Sequence, residues 1–333
     1  MTATTILYHA DCIDGFGAGY AAWRRFGDKA RYLALHHGEP APVSEIAGRD
    51  VYILDFSFTP AELEVMAASA RSLTQIDHHI SARNAWADRL TAEDNGNQVY
   101  RHPRLPLRIV FNLDKSGAHL AWECFFPGQE PPLLLQHIED QDLWRFALPD
   151  TSRLCHILRL QPFDFAAWHR LVEQIASADP ARYRQLLLDG TAIEAFFRAE
   201  TERLATGSLR QQARLRGEPV DALQAARHGQ ATVTDGESTW LAINGLAVNA
   251  NVLFCSELGH RLAQQSGSFG LTWQLAASGD AKVSLRSEGS LDVSAIAVRY
   301  GGGGHRNSAG FRMPLACFVG EVLGLTLPGS AQP

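Results

Sequence analysis

"ILYHADCIDGFGAGY", Ile6 to Tyr20, sets one histidine and two aspartates between an apolar run and a run of small residues. The apolar part, TTILYH from Thr4, reads as a strand, and FGAGYAAWRRFG after the acids has the pattern of a helix. The same change recurs through the first half of the chain. DVYILDFSF precedes PAELEVMAASAR, SLTQIDHH precedes a polar stretch, and LRIVFNLDKSGAHLAWECFF passes from one pattern to the other within itself. ARYLALHHGE, residues 30–39, adds a further strand. Short apolar strands joined through helices indicate parallel βαβ units, so the expected class is α/β with an open, mostly parallel sheet.

Downstream, ARYRQLLLDGTAIEAFFRAETERLATG carries apolar residues at mixed three and four spacings and few β-branched interruptions, the pattern of a connecting helix. Beyond it, ATVTDGESTWLAING, SFGLTWQLAASGDAKVSLRS and GFRMP read as strands, with helices near VNANVLFCSELGHRLAQQ and LDVSAIAVRYG and a hairpin loop at GDAK containing Gly279. Three parts are expected: a sheet domain over 1–175, a helical linker over 176–215 and a smaller α/β domain over 216–327.

The 333 residues are 46% hydrophobic, enough for two buried cores. No stretch approaches eighteen consecutive apolar residues, and MTATTILYHAD lacks the features of a signal peptide, so the expected location is the cytoplasm and no membrane partner is expected. Five cysteines standing singly suit neither a disulfide framework nor a cysteine-built zinc site. A net charge of −6 argues against holding a long nucleic acid through the global field and favours a small or short anionic substrate.

Against that background the charged strand ends stand out. His9 and Asp11 close the first strand and Asp14 opens the helix after it; Asp55 closes VYIL; Asp77, His78 and His79 close LTQI. Any one of them alone reads as a helix cap or a turn residue. Three such ends in one α/β sheet converge on the crevice outside the carboxyl ends of the strands, where ligands bind. Several carboxylates there repel one another unless a cation compensates them. Carboxylates mixed with imidazoles suit a metal such as manganese. HIEDQDLWRF supplies further acids, and EDQD also reads as a solvated helix end, so Glu139, Asp140 and Asp142 are not separated by the pattern.

These residues resemble the DHH phosphoesterase family, named for the triplet that stands here as Asp77-His78-His79. His9, Asp11, Asp14 and Gly15 look like its first motif, Asp55 its second, IDHH its third and Asp140 its fourth. KVSLRSEGSLDVSAIAVRYGGGGHRNSAGF, Lys282 to Phe311, is similar to the DHH-associated C-terminal domain with its GGGH loop. The resemblance implies a two-domain phosphoesterase with two divalent metal ions, manganese foremost. His9, Asp11 and Asp55 would hold one metal and Asp14, Asp55, His78 and Asp140 the other, with Asp55 bridging. His79 would face the phosphate and Asp77 would orient its neighbours. The first motif is spaced His9-x-Asp11-x-x-Asp14, where commoner members have H-x-x-x-D-x-D.

YGGGGH offers successive residues without Cβ atoms beside a histidine, so backbone N–H groups can approach an anion. Lys282, Arg286, Arg299, Arg306 and Arg312 outweigh Glu288 and Asp292 in the same stretch. Arg286, Ser287, Gly302, Gly303, Gly304 and His305 are the expected substrate-binding residues. Trp122 and Trp144 are assigned to packing rather than to base stacking. The expected activity is hydrolysis of short single-stranded RNA or of linear dinucleotides such as pGpG to mononucleotides, extending to bisphosphorylated nucleotides. A pyrophosphatase or polyphosphatase, and a non-catalytic nucleotide sensor, are the alternatives, and a homodimer is left open as an assembly.

Overall fold

The computed structural model describes residues 4–10, 12–36, 38–177, 180–236 and 238–325. It divides into two compact units, Met1–Glu194 and Ala195–Pro333.

The first unit is built on a seven-stranded sheet: β1 (Thr4–His9), β2 (Arg31–Leu35), β3 (Asp50–Leu54), β4 (Ser72–Asp77), β5 (Thr91–Ala92), β6 (Gln98–Arg101) and β7 (Leu107–Phe111). Their order is β2-β1-β3-β4-β7-β6-β5. β2, β1, β3, β4 and β7 run parallel, and β6 and β5 extend the edge antiparallel. The helices are α1 (Ile13–Phe26), α2 (Val43–Ile46), α3 (Pro60–Ser69), α4 (Ile80–Asn84), α5 (Gly117–Phe125), α6 (Leu133–Asp142), α7 (Thr151–Leu160), α8 (Phe165–Ala176) and α9 (Pro180–Thr206).

Successive strand residues serve opposite faces. Ile6, Leu54, Ile76 and Val110 join one buried cluster with Phe16, Tyr20, Leu120, Ile138 and Trp168. Leu7, Ile53, Leu73 and Ile109 join another with Ile46, Leu63, Met66 and Trp86. Burial on both faces is why these strands read as near-continuous apolar runs. The chain starts at β1, steps outward to β2, then returns to β3 on the other side of β1. That reversal opens a crevice at the carboxyl ends of β1 and β3, the usual ligand position in such sheets.

The second unit holds β8 (Gln211–Pro219), α10 (Ala222–Arg227), β9 (Thr232–Asp235), β10 (Ser238–Asn249), α11 (Cys255–Ser266), β11 (Phe269–Leu275), β12 (Asp280–Ser287), α12 (Val293–Val298), β13 (Gly303–His305) and β14 (Ser308–Pro314). The sheet runs β13-β14-β12-β11-β10-β8, with β9 on β10. Leu215, Phe269, Leu271, Val283 and Phe311 pack with Val293, Ile296 and Phe318. Val248 packs with Ala205, Leu258 and Leu262. The α/β class with a second sheet unit is as expected from the sequence. The boundary between units falls inside α9, and β8 already begins at Gln211, so helix and strand share the stretch 176–215. The β11–β12 turn occupies 276–279 with Gly279 at φ +88°, and Asp280 to Lys282 belong to the strand. Among the described residues no helix is long and apolar enough to cross a membrane.

Candidate metal centre

The crevice receives side chains from four elements and the loops after them. His9 ends β1, Asp14 lies in the first turn of α1, Asp55 follows β3, and Asp77 ends β4 with His78 and His79 directly after it. His9 Nδ1 stands 3.4 Å from Asp55 Oδ2. His78 Nε2 stands 3.1 Å from Asp55 Oδ1, 3.4 Å from Asp14 Oδ2 and 3.6 Å from Asp142 Oδ2. Asp14, Asp55, Asp77 and His78 are each buried. Candidate donor atoms in three overlapping groups lie within 4.8 Å of one another: His9, Cys12 and Asp55; Asp14, His78 and Asp142; Asp55, Asp77, His78 and His79.

Backbone hydrogen bonding holds this arrangement. Asp14 accepts from the first N–H groups of α5, Gly117 N at 2.7 Å on Oδ2 and Ala118 N at 2.9 Å on Oδ1. A carboxylate at a helix N-terminus uses N–H groups that have no partner within the helix, and the helix dipole favours its charge. Gly117 also has to be glycine for a steric reason, since a Cβ there would lie 2.5 Å from Asp55 Cβ and 2.7 Å from its Oδ1. Gly15 is constrained likewise by His9, whose carbonyl oxygen would sit 2.4 Å from an added Cβ. Replacing Gly117 by alanine is therefore expected to displace Asp55 and weaken divalent-ion binding about 10–100-fold, the range for losing a group that orients ligands. Calorimetric titration with manganese checks this, and an unchanged affinity would remove Gly117 from the supporting frame.

Asp55 adopts φ +52°, in the left-handed region that non-glycine residues seldom occupy. Its Oδ1 is buried and lies 3.1 Å from His78 Nε2. A buried carboxylate set between two imidazoles and close to other carboxylates is a donor arrangement that suits a cation. The charges agree. Burial, then the carboxylates of Asp55 and Asp142, hold Asp14 well above the usual carboxylate range. Burial opposes ionisation of Asp55 too, but His78 and His9 beside it bring its pKa well below that range. Burial works against a charge on His78, and Asp142 and Asp55 outweigh it, raising its pKa well above the ordinary value. Charges this close must share out protons unless a cation replaces them. The oxygen and nitrogen donors fit a divalent ion.

Asp77 serves the histidines. Its Oδ1 accepts from His78 N at 2.8 Å and from His79 Nδ1 at 2.6 Å, and its Oδ2 accepts from the Ser57 hydroxyl at 2.5 Å. Burial disfavours a charged His79, and Asp77 overcomes this, raising its pKa to about 9.

The fourth-motif acid is a correction. Asp140 does not enter the cluster: its oxygens accept from Ala147 N at 2.8 Å, Leu148 N at 3.0 Å and the Thr151 hydroxyl at 2.5 Å. Asp142, the last residue of α6, faces His78 instead. At about 100° per residue, positions two apart on a helix point nearly opposite ways, so Asp140 and Asp142 cannot both face the crevice. That phase argument was available in the sequence. Cys12 and Ala118 were also missed; the first stands beside Asp11, and the second could be found only through the packing of α5 on α1. The expected ligand Asp11 lies outside the described residues.

The start of α5 is braced further by Glu139, which accepts from Ser116 N at 3.1 Å and lies 2.8 Å from His119 Nδ1. Burial works against both charges, and their mutual contact prevails, lowering Glu139 and raising His119. The Glu139 contribution to stability is complete above its usual pKa of 4.5 and is lost as pH falls through the depressed value. The His119 contribution is complete below its usual 6.5 and is lost as pH rises through the raised value. Thermal melting of Glu139→Gln against the wild type should thus show its largest deficit between about pH 5 and 6, roughly 1 kcal/mol, shrinking toward either side. A deficit independent of pH would sink the pair's role.

In the second unit, Arg286 donates to the Leu285 carbonyl at 2.8 Å and to the Ser256 hydroxyl at 3.0 Å. Ser287 is buried and donates to the Leu291 carbonyl at 2.7 Å, so its proton braces the turn after β12. Two glycines of the run are demanded by strand packing. A Cβ on Gly302 would lie 2.0 Å from Gly310 O, and Gly304, at φ +139°, would meet Ser308 O at 2.6 Å. Gly303, Gly304 and His305 pair with Gly310, Ala309 and Ser308 on β14.

Comparison with known proteins meets this unit directly: residues 255–323 match the DHHA1 domain. The chain carries a DHHA1 domain. The match supports the C-terminal part of the expected DHH-type architecture, and the Asp77-His78-His79 triplet stands at the end of β4 in the other unit. Among curated proteins the chain is similar to the uncharacterized protein R106 of Acanthamoeba polyphaga mimivirus, 27% identical over 325 residues, covering 92% of this chain and 66% of that protein. Among solved structures it is similar to RecJ from Thermus thermophilus in complex with Mn2+, at 16% identity and TM-score 0.43, covering 95% of this chain and 50% of RecJ. It is also similar to the pGpG-specific phosphodiesterase PggH from Vibrio cholerae, at 11% identity and TM-score 0.36, covering 94% of each chain. The DHHA1-bearing chain thus spans about two thirds of the mimivirus protein and half of RecJ.

Proposed function

We propose that this chain is a DHH-family phosphoesterase that uses divalent metal to hydrolyse short oligoribonucleotides or linear dinucleotides such as pGpG to mononucleotides. One observation carries the reading: buried Asp55, at the crevice between β1 and β3, lies between His9 on one side and the Asp14, His78 and Asp142 group on the other. His9 and Asp55 would hold one ion and Asp14, His78 and Asp142 the other, with Asp55 shared. Manganese suits this donor set, since two imidazoles accompany the carboxylates. A bound divalent ion supplies acidified water and offsets charge on the phosphate.

The chain's own residues do the rest. Asp77 fixes the His79 ring through Nδ1, so the ring's other nitrogen turns away from Asp77. The Asp77 carboxylate favours the charged form of this imidazole, which suits it to stabilise charge building on a phosphate oxygen. Arg286 and the Gly302 to His305 strand are the proposed contacts for the rest of the substrate, through guanidinium and backbone N–H groups. The Ser287 hydroxyl, which donates within the unit, can contribute only as an acceptor.

The test is hydrolysis by purified protein with manganese or magnesium, using pGpG, RNA of defined lengths, single-stranded DNA and pyrophosphate as substrates. Expected are mononucleotides from pGpG and the shortest RNAs, and a rate that falls with length. Turnover of pyrophosphate alone would replace this reading by a pyrophosphatase. Nucleotide binding without any turnover would replace it by a sensor.

A further inference from the structure

The segment between α6 and α7, Leu143 to Asp150, combines three costs. Trp144 at φ +56°, Phe146 at φ +47° and Asp150 at φ +72° all occupy the left-handed region, which bulky side chains rarely enter. Trp144 and Phe146 are also exposed, by 38% and 41%. Their rings meet edge to face at 4.9 Å and 83°. Two aromatic residues held at positive φ and more than a third exposed are a costly choice for a loop that merely joins two helices.

The neighbourhood enforces this conformation. Trp144 N donates to the Gln141 carbonyl at 2.9 Å, and Arg145 N and Phe146 N both donate to the Asp140 carbonyl, at 2.8 and 3.3 Å. The Asp140 carboxylate then takes the N–H groups of Ala147 and Leu148 and the Thr151 hydroxyl, whose oxygen faces His137 Nδ1 at 2.8 Å. The Arg145 side chain reaches back to the Asp114 carbonyl at 2.6 Å. Asp140, absent from the cluster, is the residue that sets this loop. Two positions further along, Asp142 faces His78, so the aromatic pair begins two residues from the candidate metal centre.

We infer that Trp144 and Phe146 form a stacking platform for a nucleobase of the substrate whose phosphate meets that centre. The inference rests on the nucleotide-hydrolysing reading above and adds the residues that recognise the base. An aromatic face binds any base, so the platform gives affinity with little base preference, and orients the adjoining phosphodiester toward Asp55 and His78. Asp140 is a positioning residue for it.

Glycine tolerates positive φ, so Trp144→Gly and Phe146→Gly remove the rings while suiting the backbone and should melt no earlier than the wild type. Steady-state kinetics with manganese are compared for pGpG and for two analogues, each with one nucleobase absent. Each glycine variant is expected to raise KM for pGpG on the order of 10-fold or more with kcat little changed, as loss of one stacking partner implies. Trp144→Phe should restore most of the affinity. One of the two analogues should bind the wild type as poorly as pGpG binds the variants and lose nothing further in them. Unchanged KM in both glycine variants, or an equal rise for both analogues, overturns the platform while leaving the hydrolytic reading intact. A wild type that hydrolyses no nucleotide overturns the hydrolytic reading and the platform with it. Should the glycine substitutions melt early, dinucleotide affinity of Trp144→Phe and Trp144→Leu in the presence of a chelator decides: equal affinities count against stacking, and a selective loss in the leucine variant supports it.

Discussion

Asp55→Asn should lower turnover of a dinucleotide by roughly 10³-fold, the upper end of what removing one preorganised charge-stabilising group costs. The change keeps the shape of the side chain and removes its charge. Asp55 lies between the His9 side and the His78 side of the cluster, with its buried Oδ1 3.1 Å from His78 Nε2 and its Oδ2 3.4 Å from His9 Nδ1. Neutralising it leaves both sides without their shared anion. The fold should persist, because Asp55 holds its place through its backbone, with Asp55 N donating to the Ile76 carbonyl at 3.0 Å. Manganese titration should show weaker binding of both ions, and circular dichroism an unaltered spectrum. Normal turnover by this variant would place the chemistry elsewhere in the molecule.

The second large effect separates two aspartates that stand two positions apart. Asp142→Asn should reduce metal affinity and turnover by about 10²-fold or more, with little change in melting temperature. Asp140→Ala strips partners from two backbone N–H groups and a buried hydroxyl, a loss of about 2 kcal/mol, or roughly 4–8 °C in melting temperature for a unit of this size. Its metal affinity should remain near the wild-type value. If the two phenotypes are exchanged, the assignment of Asp142 to the cluster and Asp140 to the loop is reversed.

The strand-to-helix alternation was legible because each signal is local: an apolar run, then a polar turn, then small or amphipathic residues. The same locality placed His9, Asp55, Asp77 and His78 at strand ends, and the parallel order of β1, β3 and β4 brings those ends into one crevice. Where a position depended on helix phase or on a distant element, the sequence was less informative. EDQD offered three acids, and only the orientation of α6 selects Asp142. Ser287 looked like an anion contact, yet the turn at Leu291 takes its proton. The packing role given to Trp144 followed from its apolar character, whereas its exposure and positive φ are set by Asp140 through hydrogen bonds that no spacing rule reveals.

The start of α5 touches two acids whose sequence positions are about a hundred and about sixty residues away. Its N–H groups hold Asp14, and Asp55 lies so close to Gly117 that no Cβ fits between them. A tilt of this one helix would therefore move the shared carboxylate and one on the His78 side at once, like a lever with two loads. Leu120 and Ala121, buried residues of this helix, are handles on that lever. Repacking them offers a way to tune the spacing of the centre without altering any residue that lines it.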